Sequence, residues 1–335
     1  MNDNDLYAEA ARGVLADHCT PQAVRDIEAG GPAAGRLWAQ LEAAGLADAL
    51  VSEEAGGSGL GLGQVYGVLE QCGAHALPLL LGETMVARAL LPRRPAGAIA
   101  LARGRRGSDG AWHCDLVRGG RTASHVLSQA EGEWRLLAAA EADCQAHALP
   151  LDAAMSWTAA QAGPPIALAG AADGGPDVWT LQAAVAAALM AGALGWVLER
   201  TLQYANERQQ FGRPIGKFQA IQHQLAIMSE HVCAARMAAQ LGCSGEGAVP
   251  ERLRVATAKA RCSEAALAVA ELAHAIHGAI GFTEEYDLQL YTRRLHAWRQ
   301  TAGSEAYWQD AAGQALLAHE GLTLDLVRRI TDVPA

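Results

Sequence analysis

The chain has 335 residues, 51% hydrophobic, 19% charged and only 5% aromatic, with a formal net charge of -10. That is enough apolar material for a sizeable core spread over two or three domains, and the acidic balance without a long basic run argues against a nucleic-acid partner. Seven cysteines without a CxxC pair do not form a small disulfide scaffold and fit a reducing, cytoplasmic location.

The N-terminal MNDNDLYAEAARG is polar and has no apolar core of a signal peptide. Residues 5–20 carry helical spacing through Leu6, Ala10 and Val14, and Thr20-Pro21 opens a second short helix that Gly30-Gly31-Pro32 ends. Leu37, Trp38 and Leu41 share one side of a helical piece over 37–44, with Gly45 as its stop. The run Gly56-Gly57-Ser58-Gly59-Leu60-Gly61 lacks the Lys-Ser/Thr of a phosphate loop, so it reads as a turn before a helix over 62–72. Residues 75–91 read as a helix pair with Pro78 at its boundary.

Composition shifts at Pro92-Arg93-Arg94-Pro95. From 97 to about 168 short apolar pieces (AIALA, WHCDLV, SHVLSQ, WRLLAAA) alternate with turn residues and predict short strands. Gly174-Gly175-Pro176 marks the next boundary. Four long helical patterns follow, at 178–207, 217–242, 250–277 and 300–318, with a shorter one near 285–296, which suggests a bundle. No apolar stretch has the length and flanks of a membrane span; the nearest, 183–198, is Ala-rich and interrupted by Gly192 and Gly195. The expected organisation is mostly α with a small middle β domain: an N-terminal helical domain over 1–93, the β domain over 94–173 and a C-terminal bundle over 174–335.

Between the first two long patterns, Phe211-Gly212-Arg213-Pro214-Ile215-Gly216 breaks the periodicity. Spacing alone reads this as a helical hairpin with a solvated Arg208 in the last turn of one helix and Gln219 opening the next. The residues RQQFGRPIGKFQAIQHQLA (208–226) resemble the signature of the acyl-CoA dehydrogenase family. So do HGAIGFTE (277–284), LYTRRLHAW (290–298) and Ala302-Gly303-Ser304, and LWAQLEAAGLADALVSEEAGGSGLGL (37–62) resembles that family's first domain. These matches occur in the family's order and span most of the chain.

The resemblance implies a helical–β–helical fold, FAD as cofactor and an acyl-CoA thioester as substrate. It implies that Arg208 reaches the flavin dinucleotide's phosphates, usually across a subunit interface, that Phe211 packs near the cofactor and that Gln219 bonds to its adenosine half. Gly278 and Gly281 match a turn at the adenine end, and Ser304 stands where the family has a threonine beside the flavin. Ala275 and Ala279 replace a family Gln and Gly. The family's Trp-centred flavin segment has no match around Trp112, Trp134 or Trp157, and the β domain is shorter than usual.

Acyl-CoA dehydrogenation needs a carboxylate within reach of the α-proton. One family position for that base aligns with Ala302 and the other with Gln182, and neither residue accepts a proton at neutral pH. Glu305, about one helical turn from Ala302, and Glu284 are the in-chain alternatives; both also read as solvated charges at helix starts. The pattern further resembles short bacterial members that work as unlike pairs on bulky acyl-CoA esters, including sterol side chains, where one subunit supplies the base. Three readings stand: a base-lacking subunit of a hetero-oligomer with a related chain, a homo-oligomeric dehydrogenase with a relocated base, and a scaffold without flavin.

Overall fold

The computed structural model describes residues 3–169, 175–245 and 247–332. The chain forms two compact units: Met1–Val68 with Leu77–Val185 and Gly245–Val249, and Leu69–Ala76 with Ala186–Ser244 and Pro250–Ala335. The expected boundary at Gly174 lies outside the described residues.

In the first unit, α1 (Asp3–His18), α2 (Pro21–Glu28) and α3 (Ala33–Ala43) follow one another. The Thr20 hydroxyl accepts the Ala23 N–H at 3.2 Å and Pro21 opens α2, which buries Val24 and Ile27. Gly45, at φ 71°, ends α3. The glycine run before α4 (Leu62–Ala74) is a packing turn: a Cβ at Gly57 would fall 2.3 Å from the Val51 carbonyl oxygen. The helix pair expected over 75–91 is a single helix, α5 (Leu81–Leu90). Ala76 takes a positive φ of 49°, and Pro78 disfavours helix at the residue before it, so the chain stays irregular until Leu81. The buried Arg88 of α5 donates to Glu42 (2.8 Å), Asp48 (3.1 Å) and the Gly97 carbonyl (3.1 Å), tying α5 to α3 and to the start of the β region.

Seven strands follow: β1 (Ile99–Arg103), β2 (Arg105–Arg106), β3 (Trp112–Val117), β4 (His125–Ala130), β5 (Glu133–Ala138), β6 (Asp143–Ala146) and β7 (Ala153–Trp157). One sheet runs β1-β4-β5, with β1 parallel to β4 (Ile99 opposite His125) and β5 antiparallel to it. The other runs β2-β3-β7-β6 and is antiparallel throughout. Inward residues of both sheets, among them Trp112, Val126, Leu137, Met155 and Trp157, form one apolar core. The Trp112 indole N–H donates to Ser128 Oγ (2.9 Å) and that of Trp157 to the Ala138 carbonyl (2.8 Å), so neither polar handle is left for a ligand.

The second unit is helical. α6 (Val178–Glu207) begins in the first unit and continues through the second. It is followed by a two-residue hairpin of β8 (Gln209–Gln210) and β9 (Arg213–Pro214), then α7 (Gln219–Gly242), α8 (Arg252–His277), α9 (Leu288–Gln300), α10 (Glu305–Ala318) and α11 (Thr323–Thr331). α8 packs against α7, α9 and α10. α4 and α6 approach to backbone contact: a Cβ at Gly192 would lie 1.8 Å from the Glu70 carbonyl oxygen, and one at Gly73 would lie 1.9 Å from that of Leu189. The segment after Leu322 forms α11, pinned by Arg254 guanidinium bonds to the carbonyls of Arg329 and Asp332. By length and composition alone α6 and residues 252–282 reach the apolarity of a membrane span, but the apolar window of α6 is 83% buried in the fold.

Candidate functional site

The β8–β9 hairpin is turned by Phe211 at φ 51° and Gly212 at φ 78°, the pair of positive angles that a two-residue hairpin of this twist requires. Glycine accepts this freely; phenylalanine does not. Phe211 is nonetheless held there, 91% exposed, with its ring edge-on to that of Phe218 at 6.1 Å between centres. Arg208 follows the last residue of α6. Its backbone N–H donates to the Tyr204 carbonyl (2.8 Å), and its exposed guanidinium engages no described residue. Gln219 opens α7, as the sequence predicts, and is also exposed.

Gly278 ends α8 at φ 66°, ψ -146°, a combination open to glycine. Gly281 is required by packing, because a Cβ there would meet His277 at 3.0 Å, His274 at 3.2 Å and Leu288 at 3.2 Å. The Gly278 turn and the Arg208 hairpin are brought together by Tyr204, which stacks on His277 (4.4 Å between ring centres) and donates to its carbonyl at 3.3 Å. His277 is a packed histidine. Its Nδ1 bonds the Ala273 carbonyl at 2.8 Å, and burial lowers its pKa, as it lowers that of His274. His277 Nε2 and His274 Nδ1 are buried here without hydrogen bonds, and Arg200 covers the Tyr286 ring at 5.2 Å. Spacing along the chain did not single out Tyr286 or Arg200, because α6 and the loop before α9 meet only in the folded unit.

The turn between α9 and α10 is the second feature. Ala302 adopts φ 52° and Gly303 φ 98°, and Ser304 precedes α10 with a side chain that makes no capping bond. Trp308, fully buried, donates its indole N–H to the Ala302 carbonyl at 2.8 Å. Lys259 of α8, also fully buried, reaches the same turn, and nothing in the sequence pattern set it apart from Arg254 and Arg261 on the same helix. Lys259 and Gly278 are separated by 19 positions on α8, roughly 28 Å along its axis at 1.5 Å per residue. The Arg208–Gly278 group and the Ala302–Ser304 turn therefore mark two different ends of the second unit.

The structure also describes the surroundings of the residues expected at the base positions. Gln182 is buried, and its amide Nε2 donates to the Leu101 carbonyl at 2.7 Å, so its polar end holds strand β1. Glu305 is ion-paired with Arg299. Burial works to raise its carboxyl, but the Arg299 bond, its own backbone N–H and the charges of Arg299 and Lys259 outweigh this and hold it below the usual carboxylate range. A carboxylate held that way is a weak proton acceptor. Glu284 is exposed in the loop after Gly281.

A family model described as the C-terminal domain of acyl-CoA dehydrogenase matches residues 180–317. The acyl-CoA dehydrogenase IpdE2 of Mycolicibacterium smegmatis is 32% identical over 311 residues, covering 90% of this chain and 94% of that protein. Among solved structures, a variant of the Tcur3481–Tcur3483 steroid ACAD superposes with a TM-score of 0.79 and 27% identity, over 94% of this chain and 97% of that one. The ChsE4–ChsE5 complex of Mycobacterium tuberculosis shares the fold at a TM-score of 0.77 and 20% identity, over 96% of this chain and 99% of that one.

Proposed function

The chain belongs to the acyl-CoA dehydrogenase family, and from that premise we propose that it is the base-lacking subunit of an unlike pair that dehydrogenates an acyl-CoA thioester between its α and β carbons. The observation that carries this reading is the state of the base positions. Ala302 has no proton acceptor, the Gln182 amide is spent on the Leu101 carbonyl, and Glu305 is held by Arg299. A related chain bearing a carboxylate then supplies the proton acceptor. The steroid ACAD and the ChsE4–ChsE5 complex, both described as two-component assemblies, lend support. The steroid substrate of the first points to a bulky acyl chain.

FAD is the cofactor of this reading. The exposed, unengaged guanidinium of Arg208 and the uncapped Ser304 hydroxyl fit a ligand that brings its own phosphates and hydrogen-bond acceptors. When bound, FAD would supply the hydride acceptor for the β-hydrogen. Arg208 would bind pyrophosphate, Phe211 would pack near the cofactor, Gln219 would bond its adenosine half, the Gly278–Gly281 turn would meet the adenine end, and Ser304 would lie beside the ring system. Because the two groups of residues lie at different ends of the unit, Arg208 and Ser304 of one chain serve different flavins, each completed by a neighbouring subunit. Trp112, Trp134 and Trp157 are buried in the first unit's core, so the β region offers none of its indoles to the cofactor. The same reading keeps three functional parts, 1–93, 94–173 and 174–335, in a cytoplasmic protein.

The test is co-expression with a homologue that carries the carboxylate. Flavin bleaching by acyl-CoA in the pair but not in this chain alone is the expected result. Bleaching by this chain alone would favour the homo-oligomeric reading.

A further inference from the structure

Lys259 has no exposed surface, yet its ammonium serves two separate parts of the chain. Nζ donates to Ser263 Oγ one turn along α8 (3.1 Å), to the Arg299 carbonyl at the end of α9 (2.9 Å) and to the Gly303 carbonyl (2.8 Å). The Arg299 carbonyl is among those a helix C-terminus leaves without an intrahelical partner, and a cation is favoured there. One buried ammonium thus grips both ends of a turn that contains two consecutive positive φ angles, at Ala302 and Gly303. The indole N–H of Trp308 holds the Ala302 carbonyl between them at 2.8 Å. A Cβ at Gly303 would sit 2.6 Å from the Tyr307 ring, so a side chain at this position would clash.

Burying a lysine is unfavourable unless its donors are satisfied. Here the three bonds spend it on fixing the backbone that leads into Ser304 and α10. We propose that Lys259 is a positioning residue, which presents the residue 302 side chain and the Ser304 hydroxyl to the cofactor in one fixed arrangement. This rests on the reading in which Ser304 lies beside a flavin. The clamp on the turn follows from geometry alone.

Lys259→Met keeps most of the side chain's length and packing and removes all three bonds. Two readouts on the full-length chain separate the proposal from the reading beneath it. The first is amide hydrogen exchange: residues 301–306 should exchange at least 10-fold faster in the variant, with the amides of α7 changed by less than 2-fold. The second is FAD titration followed by flavin fluorescence, where the variant should bind at least 10-fold more weakly than wild type. Unchanged exchange at 301–306, or acceleration spread evenly over all helices, would overturn the positioning role. Equal FAD affinity in the two proteins would overturn it as well. Where the wild-type chain alone takes up no FAD, the titration is run on the chain co-expressed with its carboxylate-bearing homologue; no uptake there either would count against the flavin reading, leaving the exchange result to decide the clamp. Where Lys259→Met does not fold, Lys259→Gln replaces it. This change keeps a polar end but cannot reach both carbonyls as the ammonium does, and should speed exchange at 301–306 by about 3-fold or more; no change there would overturn the proposal.

Discussion

Arg208→Ala separates binding from folding. The guanidinium is exposed and makes no bond to a described residue, so its removal should change apo stability by no more than about 0.5 kcal/mol. Its proposed role is different in size. A fork-shaped cation bonding a pyrophosphate makes charge-assisted hydrogen bonds, each worth about 1.5–3 kcal/mol. Discounted for solvent at this exposed site, a total loss of about 1.5–3 kcal/mol corresponds to roughly 10- to 150-fold weaker FAD binding. The assay pairs flavin fluorescence quenching with an apo thermal melt, and adds Arg208→Lys, which keeps the charge but loses the fork and should fall between the two. Unchanged FAD affinity would refute the assignment. A melt lowered by many degrees would show instead that Arg208 supports the hairpin.

Three further outcomes are expected. Gly192→Ala forces a Cβ against the Glu70 backbone, which cannot swing aside, and should cost about 1–3 kcal/mol or more, seen by calorimetry as earlier melting of the helical unit; an unchanged melt contradicts the close crossing. Glu83, at the start of α5, has its carboxyl pushed up to about 7, chiefly by burial, with its own backbone N–H opposing and Asp152 adding. Because the folded pKa lies above the unfolded value, native Glu83 holds its proton longer and stability falls as pH rises from about 4.5 to 7. Glu83→Gln should therefore flatten denaturation midpoints across that window and stabilise the protein at pH 8 by about 1–3 kcal/mol, whereas a parallel pH profile for the two proteins counts against a Glu83 that holds its proton in the folded state. Ala302→Glu adds little backbone strain, since Ala already sits at positive φ. It should give the flavin-loaded chain bleaching by acyl-CoA that the wild type lacks, and a variant that stays yellow on addition would place residue 302 away from the α-proton.

The C-terminal helices were legible because apolar periodicity and glycine–proline punctuation act locally. The 178–207 pattern coincides with α6, and α7 and α8 begin within two residues of expectation. α10 starts five residues later than its pattern, where Ala302 and Gly303 take positive φ angles that a helix excludes. Strands β1, β3, β4 and β5 could be read from short apolar runs, but β6 is exposed along its length and β7 follows a proline-containing turn. The parallel pairing of β1 with β4 joins segments 26 positions apart at Ile99 and His125, which no local pattern encodes. At the site, the Arg208 hairpin announced itself through Gly and Pro. Lys259 did not, because its carbonyl partners lie 40 and 44 positions downstream. The chemistry was carried by family resemblance; the structure adds that the Gln182 amide bonds the Leu101 carbonyl and that Glu305 is paired with Arg299.

The central claim is that this chain lacks its own proton acceptor. The most direct measurement is the visible absorption spectrum of the chain purified alone and loaded with FAD, before and after anaerobic addition of a panel of acyl-CoA esters that includes a steroid side-chain ester. The account predicts flavin bands that persist in the chain alone and bleach once a carboxylate-bearing homologue is co-expressed. Bleaching by the chain alone would contradict it and would mean that a base acts from elsewhere in this sequence.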